Sequence, residues 1–304
     1  MKKYFFDANG QWRNGWKVLA YFALGAVLVV GTSIASKAMP AEFSRFIPGP
    51  FLGFLGLLGA AWIFLRLERA PLASLGLLPN RVFLGRFALG LLGGVVLLAL
   101  LAGAVWLGGG YHLERVAGVS VWILLKGAWV FLAVALFEEV LFRGYAFQRA
   151  IRGMGPRAAQ LVFALLFCLV HLSNDGMNGA TMVVALLNIF LASLMLGYCY
   201  LRSGSLALPI GVHMGWNWAQ SSLGFAGSGN TSKGFWTPVY HEQTSTWLTG
   251  GAFGLEASVL GIVVLGLAAY GLARWKGFPG AQAAQGAPQQ PGRDAGRGVM
   301  QGAA

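Results

Sequence analysis

Charge is what this sequence has least of. Only 11% of its 304 residues are charged, and ten acidic residues stand against 22 basic ones. A soluble domain carries about 25% charged residues. With 57% hydrophobic residues and a mean hydropathy of +0.64, the composition excludes an ordinary soluble protein and indicates a polytopic membrane protein. Cysteine is equally sparse. Cys168 and Cys199 each lie inside an apolar run, so no disulfide framework is expected and both read as small core residues rather than metal ligands. The zinc-protease pattern HExxH does not occur. Nor is there an internal repeat, or a pair of broken spans in matching positions, of the kind many transporters show.

The excess of basic residues gives a net charge of +12, which in a soluble domain would suggest nucleic acid. Here the basic residues fall between apolar spans, where they orient helices in a bilayer, and no nucleic-acid partner is expected. The spans read as 17–36, 48–66, 86–108, 120–152, 157–173, 179–201, 205–224 and 252–274. The predicted class is an all-α polytopic membrane protein of about eight transmembrane helices with a central cavity. Residues 1–16 form a basic, aromatic interfacial segment, expected to be retained although it resembles the start of a signal peptide. Residues 17–119 hold three spans, of which the third is rich in Gly and Ala that allow close helix approach. Four spans occupy 120–224, and an outer loop with the last span occupies 225–276. Residues 277–304, mostly Gly, Ala, Gln and Pro, read as a disordered tail. Most Lys and Arg fall on the side of the two termini, which makes both termini cytoplasmic, as in a bacterial plasma membrane protein.

The segment 120–152 is long for a span, since at 1.5 Å per residue it reaches roughly 50 Å against a bilayer core of about 30 Å. It is expected to tilt or to run out into the cytoplasm. Its second half carries FEEVLFRGY, where Glu138, Glu139 and Arg143 interrupt the apolar run. Ionised groups inside a membrane are costly enough to be functional hypotheses by default. Glu139 and Arg143 are four apart and can pair on one helix face. Glu138 lies about 100° around the helix with no local partner.

Two further spans add polar groups. Phe167 and His171 share a face of the fifth span; His213 and Asn217 share a face of the seventh, whose lower apolarity suggests that it faces protein or water. A buried carboxylate can take a proton from water, a histidine can hold that water, and aligned donors can stabilise an oxyanion. Glu138 with these residues therefore offers what glutamate-driven hydrolysis of an amide requires.

The ordered motifs Glu138-Glu139 with Arg143, Phe167 with His171, and His213 with Asn217 resemble EExxxR, FxxxH and HxxxN of the CPBP family, also called Abi or type II CAAX prenyl endopeptidase-like membrane proteases. The resemblance covers residues 120–224. It implies an intramembrane endopeptidase with an eight-helix core, acting on a peptide or protein substrate that in eukaryotic relatives is lipidated. By the same resemblance Glu138 and His171 would activate water, His213 and Asn217 would stabilise the oxyanion, and Glu139, Arg143 and Phe167 would support the site. No catalytic metal is expected. Zinc would fall to Glu138, His171 and His213, but that set leaves Asn217 without a task.

Plainer roles compete for each residue. Glu139 and Arg143 can form a pair that only fixes helix packing, and Asn217 can be interhelical glue. Lys126 and Glu256 lie near span ends and are expected to snorkel or cap. His112 and His241 read as solvated loop residues, while Asn188 and Gln220 could line the cavity, with packing as their plainer role. One point strains the assembly: counted along straight helices, His171 and His213 would differ in depth by roughly 10 Å. A proton- or ion-coupled transporter would also keep Glu, Arg and His in the membrane, and a non-catalytic scaffold or immunity-type protein could retain the motifs unused.

Overall fold

In hydrocarbon every backbone N–H and C=O needs an internal partner, so apolar runs of this length fold as helices. The computed structural model describes residues 2–7, 10–231 and 233–281. Among them the chain forms, in order, α1 (Lys2–Phe5), α2 (Asn14–Lys37), α3 (Ala41–Ser44), α4 (Gly49–Leu67), α5 (Arg81–Leu107), β1 (Tyr111–Arg115), α6 (Trp122–Arg143) and α7 (Tyr145–Met154). These are followed by α8 (Pro156–His171), α9 (Gly179–Ser203), α10 (Ala207–Ser222), β2 (Trp236–Tyr240), α11 (Thr246–Thr249) and α12 (Val259–Arg274).

Helices α2, α4, α5 and α9 are long and apolar enough to cross a bilayer. Large apolar side chains such as Val27, Val30, Leu89, Leu92, Leu165, Leu169, Val263 and Leu267 face outward from the bundle. Such a surface is stable against lipid and not against water. The chain is an all-α polytopic membrane protein.

The expected 120–152 span is not one helix. It breaks at Gly144, where the backbone turns to ψ −137° between α6 and α7. A Cβ at Gly144 would lie against the Val140 carbonyl oxygen, so glycine is required for this turn. The break disposes of the excess length, because α7 becomes a short separate helix packed on α2 and α8. Its Arg149 is almost fully buried and meets Glu68, the C-cap residue of α4, which also accepts from Tyr145 Oη (2.8 Å) and pairs with Lys17 Nζ (3.0 Å). This network joins α2, α4 and α7 at one end of the bundle. Around it Tyr21, Phe64 and Tyr145 pack in tilted and edge-on pairs with centroids 5.2–6.3 Å apart.

Close approach of α5 and α10 places the helix that carries His213 and Asn217. Gly90 and Gly94 of α5 face the backbone of Leu208, Val212 and Trp216, while Gly211 and Gly215 of α10 face that of Phe87 and Leu91. A Cβ at any of the four would overlap a carbonyl oxygen. Reciprocal small residues four apart are a common way for membrane helices to bring their backbones together. As a result α10 is buried continuously from Ala207 to Trp216, so that part of the seventh span faces protein, as its lower apolarity suggested.

The other end of the bundle is covered by structure not anticipated from periodicity. Strands β1 and β2 pair antiparallel, with Tyr111 opposite Tyr240 and Arg115 opposite Trp236. Tyr111 packs edge-on to Phe225 at 4.9 Å. His112 and His241 are exposed, as expected of solvated residues, and they stack and approach to 3.2 Å across this cover, His112 from β1 rather than from a loop. The last span also starts later than expected. Short 3-10 turns at Gly251–Phe253 and Leu255–Ala257 precede α12, whose first turn is capped by the Ser258 side chain. The expected disordered tail is ordered at its start: Phe278 N–H donates to the Arg202 carbonyl at 2.8 Å, and Arg86 lies over the Phe278 ring. The remainder of that tail, 282–304, lies outside the described residues.

Candidate active site

The second half of α6 turns two acids toward α10, and their environments differ. Glu139 is fully buried. Its Oε1 receives Arg143 Nη1 at 3.1 Å from one turn along the same helix, and His213 Nδ1 of α10 at 2.9 Å. Arg143 is held from the other side by Ser193 of α9, donating to its carbonyl at 3.0 Å and its hydroxyl at 2.8 Å. The guanidinium also lies 5.0 Å from the Phe167 ring centroid, and Phe142 packs edge-on to that ring. Glu139 and Arg143 are thus part of a polar tie across α6, α9 and α10, and not an isolated pair within one helix.

Glu138 is partly exposed and lines a cavity whose wall also includes Phe167, His171, His213 and Asn217. His213 Nε2 is 3.8 Å from Glu138 Oε2, which has no hydrogen-bond partner among the described residues. A carboxylate only accepts, so the bond to Glu139 places a proton on His213 Nδ1 and leaves Nε2 facing Glu138. His171 is fixed in the same way within its own helix. Its Nδ1 is 2.7 Å from the Phe167 carbonyl oxygen, which can only accept, so Nε2 is left as the free nitrogen. The Phe167 ring lies 4.6 Å from the imidazole and limits its rotation.

The separation in depth counted along straight helices therefore does not keep His171 and His213 apart, since both line one cavity. The structure brings together all seven residues singled out by the motifs. Two of them, Glu139 and Arg143, support the wall from behind, while Glu138, Phe167, His171, His213 and Asn217 border the open space. Among the described residues no three His, Cys, Asp or Glu side chains converge as a metal ion would need.

Sequence reasoning misplaced Glu256. Expected to snorkel or cap near a span end, it lies in the Leu255–Ala257 turn and lines the same cavity. Its Oε1 accepts from Trp216 Nε1 at 3.2 Å, and its Oε2 accepts from Ser228 N (2.8 Å) and Oγ (2.6 Å). Asn188, for which packing and lining the cavity were both open, borders the cavity and donates from Nδ2 to the Glu256 and Ser258 carbonyls at 2.9 and 2.8 Å. Gln220 does pack, donating to the Ala226 carbonyl. Lys126 is exposed near the start of α6. The signal for Glu256 was available in one respect: it is among the few acids placed beside an apolar run. Its direction depended on the late start of α12.

This fold and site define a class: an integral membrane protein whose helical bundle holds a cavity lined by Glu138, Glu256 and two imidazoles. Residues 120–219 match the family described as type II CAAX prenyl endopeptidase Rce1-like. That match over about a third of the chain is consistent with a CPBP protein and, at the level of the family, with a CAAX-type intramembrane protease acting on a peptide or protein substrate. No curated protein matches the chain.

Proposed function

We propose that the protein is an intramembrane endopeptidase that hydrolyses a peptide bond with a water activated by Glu138. The observation that carries this reading is the shared cavity of Glu138, His171, His213 and Asn217. With Nδ1 committed to the Phe167 carbonyl, neutral His171 offers Nε2 as an acceptor. A water between Glu138 and His171 would then give one hydrogen to each acceptor and keep an oxygen lone pair for the scissile carbonyl carbon.

Glu138 takes a proton from this water as the C–O bond forms, and the carbonyl oxygen becomes an oxyanion. Asn217 Nδ2 and a protonated His213 Nε2 donate to that oxygen. The protonated Glu138 then delivers its proton to the amide nitrogen, the C–N bond breaks as the oxyanion collapses, and a carboxylic acid and an amine leave. Glu139, tied to Arg143 and His213, fixes the imidazole so that Nε2 faces the cavity. No step uses a metal.

In this reading both termini are cytoplasmic, in a bacterial plasma membrane. The clustering of Arg66, Arg149, Arg152, Arg202 and Arg274 at helix ends on the side of the termini supports that orientation. The test is cleavage of membrane peptides, prenylated and unprenylated, by purified protein in proteoliposomes. Glu138→Ala, His171→Ala and His213→Ala are each expected to abolish cleavage while inserting and folding. Normal turnover by Glu138→Ala would sink the mechanism, and loss of activity with a chelator, restored by zinc, would require a metal in its place. Ion or substrate flux that depends on Glu138 would assign the site to transport instead.

A further inference from the structure

Four acids lie in the body of the bundle, and three have a cationic or imidazole partner. Glu68 pairs with Arg149 and Lys17, Glu139 with Arg143 and His213, and Glu138 faces His213. Glu256 has none among the described residues. Its three neighbours are the neutral groups Trp216 Nε1, Ser228 N and Ser228 Oγ. The indole and backbone N–H can only donate, so both carboxylate oxygens act as acceptors here. A carboxylate withdrawn from water is ordinarily balanced by a countercharge.

A second group points the same way. Asn188 is 1% exposed and lines the cavity, and its Nδ2 is committed to two carbonyl oxygens. That commitment fixes the amide orientation and makes Oδ1 the remaining atom, which is buried and has no partner. A buried acceptor without a donor is uncommon in a finished structure and calls for an explanation. Glu256 and Asn188 thus present two acceptors beside the apolar side chains of Leu265 and Ile189 on a wall shared with the proposed catalytic groups.

We propose that Glu256 and Asn188 form a cation subsite of the cavity, which takes the ammonium or guanidinium of a Lys or Arg side chain of the peptide substrate. The apolar wall receives the aliphatic stem, as such side chains require. The charged end donates to Glu256 Oε1 and Asn188 Oδ1, supplying the missing countercharge and the missing donor together. Identifying the ligand as a substrate side chain rests on the protease reading; the subsite itself does not.

The experiment measures binding of N-acetyl-lysinamide and its uncharged counterpart N-acetyl-norleucinamide to the full chain in nanodiscs by ligand-observed NMR, so no turnover is needed. Wild type is expected to bind the lysine compound about tenfold more tightly, the size of one charge-assisted hydrogen bond. Glu256→Gln is expected to erase that preference and Glu256→Asp, which keeps the charge, to retain most of it. Leu265→Lys, which offers a cation from the cavity wall itself, is expected to erase it without altering Glu256. Equal binding of the two compounds by wild type, or a preference that survives Glu256→Gln or Leu265→Lys, would overturn the subsite. Loss of the preference in Glu256→Asp as well as in Glu256→Gln would reduce Glu256 to a loop anchor. Absence of peptide cleavage by wild type alongside a Glu256-dependent preference would defeat the protease reading and leave the subsite standing.

Discussion

Arg143→Met is the substitution that most directly tests how the site is held. The guanidinium is 1% exposed, and its removal leaves Glu139 fully buried with His213 as its remaining partner. Breaking one side of a buried ion pair costs about 3–5 kcal/mol, because the surviving charge stays out of water without compensation. Ser193 also loses the donor to its carbonyl and hydroxyl. A loss of that size lowers a melting temperature on the order of 10 °C in a chain of this length. Replacing both partners, Glu139→Leu with Arg143→Met, removes the stranded charge and is expected to recover much of the lost stability.

The double variant should nonetheless stay inactive. His213 Nδ1 then has no carboxylate to hold it, and misplacement of a positioning group by about 1 Å can cost 10²-fold in rate. The assay is thermal unfolding of the two purified variants beside wild type, followed by cleavage in proteoliposomes. Two results would refute the reasoning: a loss below about 1 kcal/mol for Arg143→Met, typical of a solvated pair, or wild-type cleavage by the double variant.

Gly94→Ala forces a Cβ into the Val212 carbonyl of the facing helix, and overpacking of this kind costs about 1–3 kcal/mol. Gly93→Ala on the same helix has open space and is expected to be neutral or mildly stabilising, so comparing the two unfolding temperatures isolates the α5–α10 contact. Gly144→Ala should distort the turn between α6 and α7 and reduce cleavage with the acids and histidines untouched, measured as kcat at matched folded fraction. Burial raises the pKa of Glu68, but Arg149, Lys17 and Tyr145 outweigh it and hold the carboxyl below the usual glutamate range. Because the folded value is depressed, its stabilising contribution is present above the unfolded value and is lost as pH falls through the folded one. Glu68→Gln should therefore flatten the acid limb of a plot of unfolding temperature against pH, and an unchanged limb would remove Glu68 from the account.

The sequence by itself determined the class of protein and the residues of interest. Scarce charge against long apolar runs requires a helical membrane protein, since only internally bonded backbones are stable in lipid. Glu138, Glu139 and Arg143 stood out because ionised groups are rare in such runs, and the spacing of Glu139 from Arg143 and of Phe167 from His171 is local helix geometry. Local periodicity could not show that Gly144 breaks α6 from α7, because that turn depends on the approach of the glycine to the Val140 carbonyl.

Relations between helices were decided only by the tertiary structure. His213 is bonded to Glu139 rather than to Glu138, Arg143 reaches Ser193 of α9, and His171 and His213 meet at one cavity despite their different positions along their helices. Each depends on how α8, α9 and α10 pack against α6, and for α10 that packing is set by the four glycines at its contact with α5. Glu256 is the clearest case. In the sequence it is an acid near the end of an apolar run, but the 3-10 turn before α12 carries it back into the bundle, beside Ser228 and Trp216.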